Sequence, residues 1–263
     1  MSVDTTKKED ARLKLPFVPK HYEISYERVD LKTFEFAGTV EIQATARSDI
    51  DVASFTNSVT IHCLEVQIIE AKLHYEDITL SAEKLHYHVR KQTCEIFFPS
   101  TSPLWQKGRD YILKVSFRGE LNDKLCGFYR STYVDVSDGT SQIIATTQFE
   151  PTDARRAFPC FDEPSLKATF SLTVRAPVDL QVISNTPPEA VFTETNRAFK
   201  RVKFQQTPRM STYLVALVMG KFDSVSATTF SKTYNNRITT TVYTVPGKAE
   251  QGLFCLDTAA RYV

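Results

Sequence analysis

Two side chains near the middle of the chain form a compact polar pair. In ATTQFEPTDARRAFPCFDEP, residues 145–164, Gln148 and Glu150 lie two apart where an apolar strand pattern ends. Residues two apart on a strand point the same way, so these two project together while Phe149 points to the opposite side. A carboxylate beside an amide, just beyond a strand end, suits a cation that carries hydrogen-bond donors. The competing reading is an exposed ion pair of Glu150 with Arg155 or Arg156, worth about 0–1 kcal/mol; spacing alone favours that reading. Pro151 adds a constraint, because an X–Pro bond adopts the cis form for about 0.5–1 kcal/mol, against about 2.5–4 kcal/mol elsewhere. A cis Glu150–Pro151 bond would reverse the chain and hold the carboxylate in one direction. Further along, Asp162 or Glu163 could cap backbone amides in a structural role.

Other chemistries find less support. His86 and His88, in LHYHV, would share one strand face, and two imidazoles so placed can ligate zinc. A site needs three or four ligands, and no local carboxylate or thiol completes the pair in an obvious way. It reads as two polar residues on a solvent face, and no metal ligand is assigned in this chain. His21, His62 and His74 are isolated, and H-E-x-x-H, G-x-S-x-G and S-x-x-K are all absent. Cys160, between Pro159 and Phe161, reads as a buried structural cysteine. The eight glycines are too dispersed for a phosphate loop.

The elements that would position Gln148 and Glu150 are strands. In 34–46, Phe34, Phe36, Gly38, Val40, Ile42, Ala44 and Ala46 alternate with Glu35, Thr39, Glu41, Gln43 and Thr45, the period of a half-buried strand. The alternation recurs at 111–117 and 168–176, and further strands are expected at 21–29, 61–75, 84–98, 141–149, 181–185, 198–205 and 213–222. The last contains an apolar run, Tyr213–Met219, that reads as core buried on both faces. Residues 152–164 read as an irregular, partly helical connection. After 222 come a polar stretch, a Thr-rich strand at 237–245, a Pro246-Gly247 turn and a helix start at 248–263. Leu253, Leu256, Ala260 and Val263 would share one face of that helix. Lacking a C-terminal stop signal, it suggests that a further domain begins here.

Composition narrows the function classes. Among 263 residues, 42% are apolar, enough to bury a core without disulfide or metal. The formal net charge of +1 supplies no global field for nucleic acid or anionic lipid, and no apolar run is long enough to span a bilayer. The polar N-terminus MSVDTTKKEDARLK has no secretory core. Five scattered cysteines without C-x-x-C favour free thiols in a reducing, cytoplasmic setting.

TQFEPTDARRAFPCFDEPSLKATFSL resembles a signature of the gluzincin zinc aminopeptidases, above all of the puromycin-sensitive and alanyl type. Collinear segments LPFVPKHYEISYE, FAGTVEI, GFYRSTY, VISNTP, FQQTPRMSTYLVALVMGKF and ITTTVYTVPGKAEQGLFCLDTAARYV extend the resemblance over about 15–263. It implies a mostly β architecture: a loose tail at 1–14, a curved, β-sandwich-like saddle domain at 15–222, and at 223–263 the strand–turn–helix start of a thermolysin-like α+β catalytic domain. It implies that Glu150 binds the α-ammonium of peptides with a free N-terminus, that Gln148 lines the pocket for the first side chain, and that Glu150–Pro151 is cis. Zinc, G-x-M-E-N and H-E-x-x-H belong to a catalytic domain missing here, so this chain, with no catalytic residue of its own, is expected to be inactive alone. The rival reading is a stand-alone β-sandwich module that binds peptides or proteins without catalysis.

Overall fold

The computed structural model describes residues 12–49, 51, 55–99, 104–231 and 233–262. Most of the expected 1–14 tail lies outside them. The described residues are mostly β. Seventeen strands run in chain order as β1 (Phe17–Asp30), β2 (Glu35–Ala46), β3 (Ser58–His62), β4 (Val66–Tyr75), β5 (Ile78–Ser81), β6 (Lys84–His88), β7 (Thr93–Phe97), β8 (Asp110–Glu120), β9 (Gly127–Val134), β10 (Ser141–Gln148), β11 (Thr169–Pro177), β12 (Gln181–Ser184), β13 (Pro188–Thr193), β14 (Phe199–Phe204), β15 (Leu217–Gly220), β16 (Asp223–Ser231) and β17 (Asn236–Thr244). One helix, α1, spans Leu253–Tyr262.

An eight-stranded sheet has the order β13-β14-β11-β1-β2-β8-β4-β5. Its β1–β11 pair is parallel and the other pairs antiparallel. A four-stranded sheet, β12-β15-β10-β9, and a three-stranded sheet, β3-β7-β6, share its hydrophobic core. The period-2 rows at 34–46, 111–117 and 168–176 face inward as their alternation requires, except Phe34, which is half-buried in the turn before β2 with φ 61°. Tyr26 of β1 packs edge-on against Phe36 and Phe117 of its own sheet and, at 5.4 Å between ring centroids, tilts against Phe128 of β9. Such aromatic contacts add about 0.5–1.5 kcal/mol each beyond the area they bury, and here they join two sheets.

Three expected strands come out differently. The stretch 61–75 is two strands in different sheets, because Glu65 (φ 57°) adopts a left-handed conformation between β3 and β4. The stretch 84–98 is the β6–β7 hairpin, folded over a 3-10 turn at Val89–Lys91 with Gln92 (φ 54°) left-handed. Over 213–222, a 3-10 turn at Thr212–Leu214 precedes β15. Val215, Leu217 and Met219 are buried, while Ala216 and Val218 are half-buried and Leu214 is exposed. Only one face of that apolar run is fully buried.

The polar stretch after 222 is itself a strand, β16, paired with β17 in a separate two-stranded sheet. Ser226–Thr241 and Thr228–Thr239 hydroxyl pairs cross this ribbon, and α1 packs on it. Leu256 is buried, and Gly252 lies close beneath Val242 and Val225. Leu253 is exposed, contrary to the expected helix face, because the ribbon covers the row through Gly252 and Leu256. The side chain of Ala260 and all of Val263 lie outside the described residues.

Gly38 shows how close β1 and β2 run. A Cβ added there would stand 2.2 Å from the Ser25 carbonyl oxygen, a backbone atom that cannot rotate away. Gly38→Ala is therefore expected to destabilise the fold by about 2 kcal/mol or more, as forced overpacking does. Urea denaturation checks this: the midpoint falls, whereas an unchanged midpoint would mean that the two strands separate freely.

Candidate functional site

β10 ends at Gln148, and the chain turns into the loop 149–168. The side chain of Phe149 is buried and meets Phe158 edge-on, while Gln148 and Glu150 are exposed on the other side. Their common direction is therefore as read from spacing, and Gln148 Nε2 donates to the Glu150 carbonyl at 3.4 Å. The Glu150–Pro151 peptide is cis. Beyond it, Asp153 N–H donates to the Phe149 carbonyl at 2.7 Å, and a 3-10 turn follows at Ala154–Arg156.

The exposed ion pair does not form. Arg155 is buried and directed away from Glu150. Its Nε donates to Asp162 Oδ2 at 3.0 Å, its Nη2 to the Asp162 carbonyl at 3.2 Å, and its Nη1 to Gln92 Oε1 at 3.0 Å. The Arg155 and Asp162 side chains are only 9% and 2% exposed. Arg156 pairs with Asp153 at 2.7 Å and with Glu65. Both neighbouring cations are thus committed elsewhere. Among the described residues, no cation pairs with the Glu150 carboxylate.

The loop is tied to strands distant in sequence. Asp162 Oδ1 accepts from Thr212 Oγ1 at 2.6 Å, and the Asp162 N–H donates to His62 Nδ1 at 3.1 Å. His62 and Cys160 exchange backbone hydrogen bonds at 2.9 and 3.2 Å. From β1, Tyr26 Oη donates to the Ala157 carbonyl at 3.1 Å, and Tyr22 Oη accepts from the Phe161 N–H at 3.2 Å. The expected capping of backbone amides falls to Glu163, which accepts from the Leu13 N–H at 2.5 Å, and to Asp162 Oδ2, which accepts from the Arg155 N–H at 3.4 Å. The roles of Arg155, His62 and Thr212 were not readable from the sequence, because their partners lie 7 to 100 residues away.

Burial, assisted by the Arg155 charge, pushes the His62 imidazole down to about 3. It therefore stays neutral, with Nδ1 as acceptor and the proton on Nε2. Cys160 is fully buried, and burial, with the nearby Asp162 charge, raises its thiol well above the usual range. It is a structural cysteine beside a neutral histidine, not a nucleophile–base pair.

Two outcomes follow for stability. Arg155→Met, which strands the buried Asp162 carboxylate, is expected to cost about 3–5 kcal/mol in urea unfolding; a loss below 1 kcal/mol would show the pair to be dispensable. For His62, the unfolded chain binds a proton below about pH 6.5 that the folded chain refuses until about pH 3. The unfolded state holds more protons across that window, so stability falls on acidification, by about 3 kcal/mol at pH 4 from this residue alone. His62→Asn, which keeps an acceptor and cannot titrate, should flatten the pH dependence between 6.5 and 3. An unaltered slope would remove His62 as its source.

Comparison with known proteins bears on the whole chain. Residues 18–214 match the Peptidase M1 N-terminal domain. The chain is 38% identical over 258 residues to Aminopeptidase M1 of Arabidopsis thaliana, covering 97% of this chain and 27% of that protein. It is 36% identical over 244 residues to "Aminopeptidase 2, mitochondrial" of Saccharomyces cerevisiae, covering 93% and 24%. With the puromycin-sensitive aminopeptidase of Caenorhabditis elegans it shares 38% over 248 residues, again 93% and 24%. It thus spans about a quarter of the length of these relatives. On the match of residues 18–214, and on these identities, the chain belongs to the Peptidase M1 N-terminal domain family.

Proposed function

We propose that this chain is the substrate-anchoring N-terminal portion of a zinc aminopeptidase that removes residues from the free N-termini of peptides. In this reading Glu150 receives the α-ammonium of the substrate, and Gln148 lines the pocket for the first side chain. The observation that carries it is the uncompensated Glu150 carboxylate: two arginines lie within six residues, and both are engaged by other acids. An ammonium bound there forms charge-assisted hydrogen bonds, each contributing about 1.5–3 kcal/mol once water is excluded. An acylated N-terminus would leave the carboxylate desolvated and unpaired, and a site built to pair one group strongly rejects a substrate lacking it. The neutralising group comes from the substrate, so the role of Glu150 is selection and positioning, with no part in bond cleavage.

The residues present do not fit a catalytic zinc of the H-E-x-x-H kind, since that motif is absent and the His62 Nδ1 is already committed to the Asp162 amide. In this reading the catalytic zinc belongs to residues outside this chain, and no catalytic step is assigned to any residue here. Residues 223–262 would open the neighbouring catalytic domain. Phe230, Tyr234, Phe254 and Tyr262 lie exposed on the ribbon and helix, a surface that a further domain would cover. A cytoplasmic setting is supported by free Cys63, Cys94, Cys126, Cys160 and Cys255. Among the described residues, no helix is long and apolar enough to cross a membrane.

In the full-length enzyme, Glu150→Gln should lower kcat/KM on aminoacyl-coumarin amides by on the order of 10–100-fold. It should also erase discrimination against N-acetylated substrates and leave zinc content unchanged. Unaltered kinetics, or loss of zinc, would overturn the assignment. The 263-residue chain with added zinc should not turn over the same substrates.

A further inference from the structure

We infer that His86, His88 and Glu95 form a binding site for one divalent cation of the zinc type on the outer face of the β6–β7 hairpin. His86 and His88 alternate onto one face of β6, and the hairpin register sets Glu95 of β7 directly opposite His86. That register corrects the sequence reading that no nearby carboxylate completes the histidine pair. Glu95 is brought back by the 3-10 turn at Val89–Lys91 and left-handed Gln92, where an unbroken strand would carry it away from His86.

The geometry suits a single ion. The two imidazole rings stand 4.3 Å apart between centroids, tilted by 44°. His88 Nε2 lies 3.7 Å from Glu95 Oε2, and the ligating atoms of all three residues fall within 4.8 Å of one another. Ligands about 2.0–2.2 Å from a tetrahedral zinc are roughly 3.3 Å apart. Closing the remaining gap takes small side-chain rotations, which residues on an edge strand can make. Neither imidazole accepts or donates a hydrogen bond among the described residues, so no existing bond has to break.

The carboxylate is already oriented. Ser58 Oγ, on β3 beyond β7, donates to Glu95 Oε1 at 2.7 Å, and Thr56 Oγ1 lies 2.9 Å from Ser58 Oγ. Oε1 is thereby held away from the histidines, and Oε2 faces His88. Hydrogen bonds from behind that fix a ligating carboxylate are a regular part of metal sites. Two imidazoles and one carboxylate favour zinc over calcium or magnesium, and water would fill the fourth position. Bound there, the ion would clamp β6, the edge of the three-stranded sheet, to β7.

Titration of the 263-residue chain with zinc ion alone, followed by calorimetry, and with cobalt ion, followed by visible absorption, tests the proposal. One equivalent should bind, with cobalt giving the absorption of a tetrahedral N,O site. His86→Ala, His88→Ala and Glu95→Gln should each weaken binding at least 10-fold, and Ser58→Ala about 10-fold through the carboxylate it orients. His74→Ala, at a half-buried histidine bonded to Thr79 on another sheet, should leave binding unchanged. Circular dichroism without metal should be the same for the His86, His88 and wild-type chains. Absence of one-equivalent binding, or binding that survives the His86→Ala/His88→Ala double change, would overturn the site.

Discussion

The buried pair of Arg155 and Asp162 is the constraint on which the rest of the loop depends. A guanidinium and a carboxylate withdrawn from water are costly unless nearly every donor and acceptor finds a partner. Here Asp162 uses both oxygens, one for Arg155 and one for Thr212, and Arg155 reaches Asp162, its carbonyl and Gln92. The path the backbone takes satisfies all of these together. That path carries the chain from the end of β10, past Gln148 and Glu150, to the start of β11.

The same pair explains why Glu150 is left without a protein cation. Had Arg155 turned outward, it could have met the carboxylate of Glu150, just before the proline, and Asp162 would have been stranded in the core. Burial of Asp162 draws Arg155 inward, and Asp153 and Glu65 occupy Arg156. A negative charge at the lip is thus maintained by interactions beneath it. His62 belongs to this underside as well: its ring stays neutral because it is buried and beside the Arg155 charge, and neutrality leaves Nδ1 free to accept the Asp162 amide.

β1 is the second support. Its inward row, Tyr22, Ile24 and Tyr26, lies in the central sheet between β11 and β2. The two tyrosine hydroxyls leave that row to bind the backbone of the loop at Phe161 and Ala157. Each ring contributes apolar area to the core, and each polar tip satisfies a loop group that would otherwise be buried without a partner. The loop is therefore held from the sheet core as well as by its own buried pair.

Alternation is a local property, and it was enough to identify the strands expected at 34–46, 111–117 and 168–176, their inward faces apart from Phe34, and the shared direction of Gln148 and Glu150. The chemistry of the Glu150–Pro151 step only made the cis form cheap; that it is cis was implied by the resemblance, and it is cis in the structure. Where the local code was silent, the reading went astray: Glu65 and Gln92 take left-handed conformations that their residue types do not announce, so the stretches 61–75 and 84–98 each read as a single strand. Partners across the fold were equally invisible. Whether Arg155 meets Glu150 or Asp162, and whether Glu95 meets His86, depends on strand registers and on contacts up to 100 residues apart. Side-chain direction along one strand follows from backbone geometry, whereas the choice among several oppositely charged partners follows from which of them the packed core buries, and only the assembled sheets decide that.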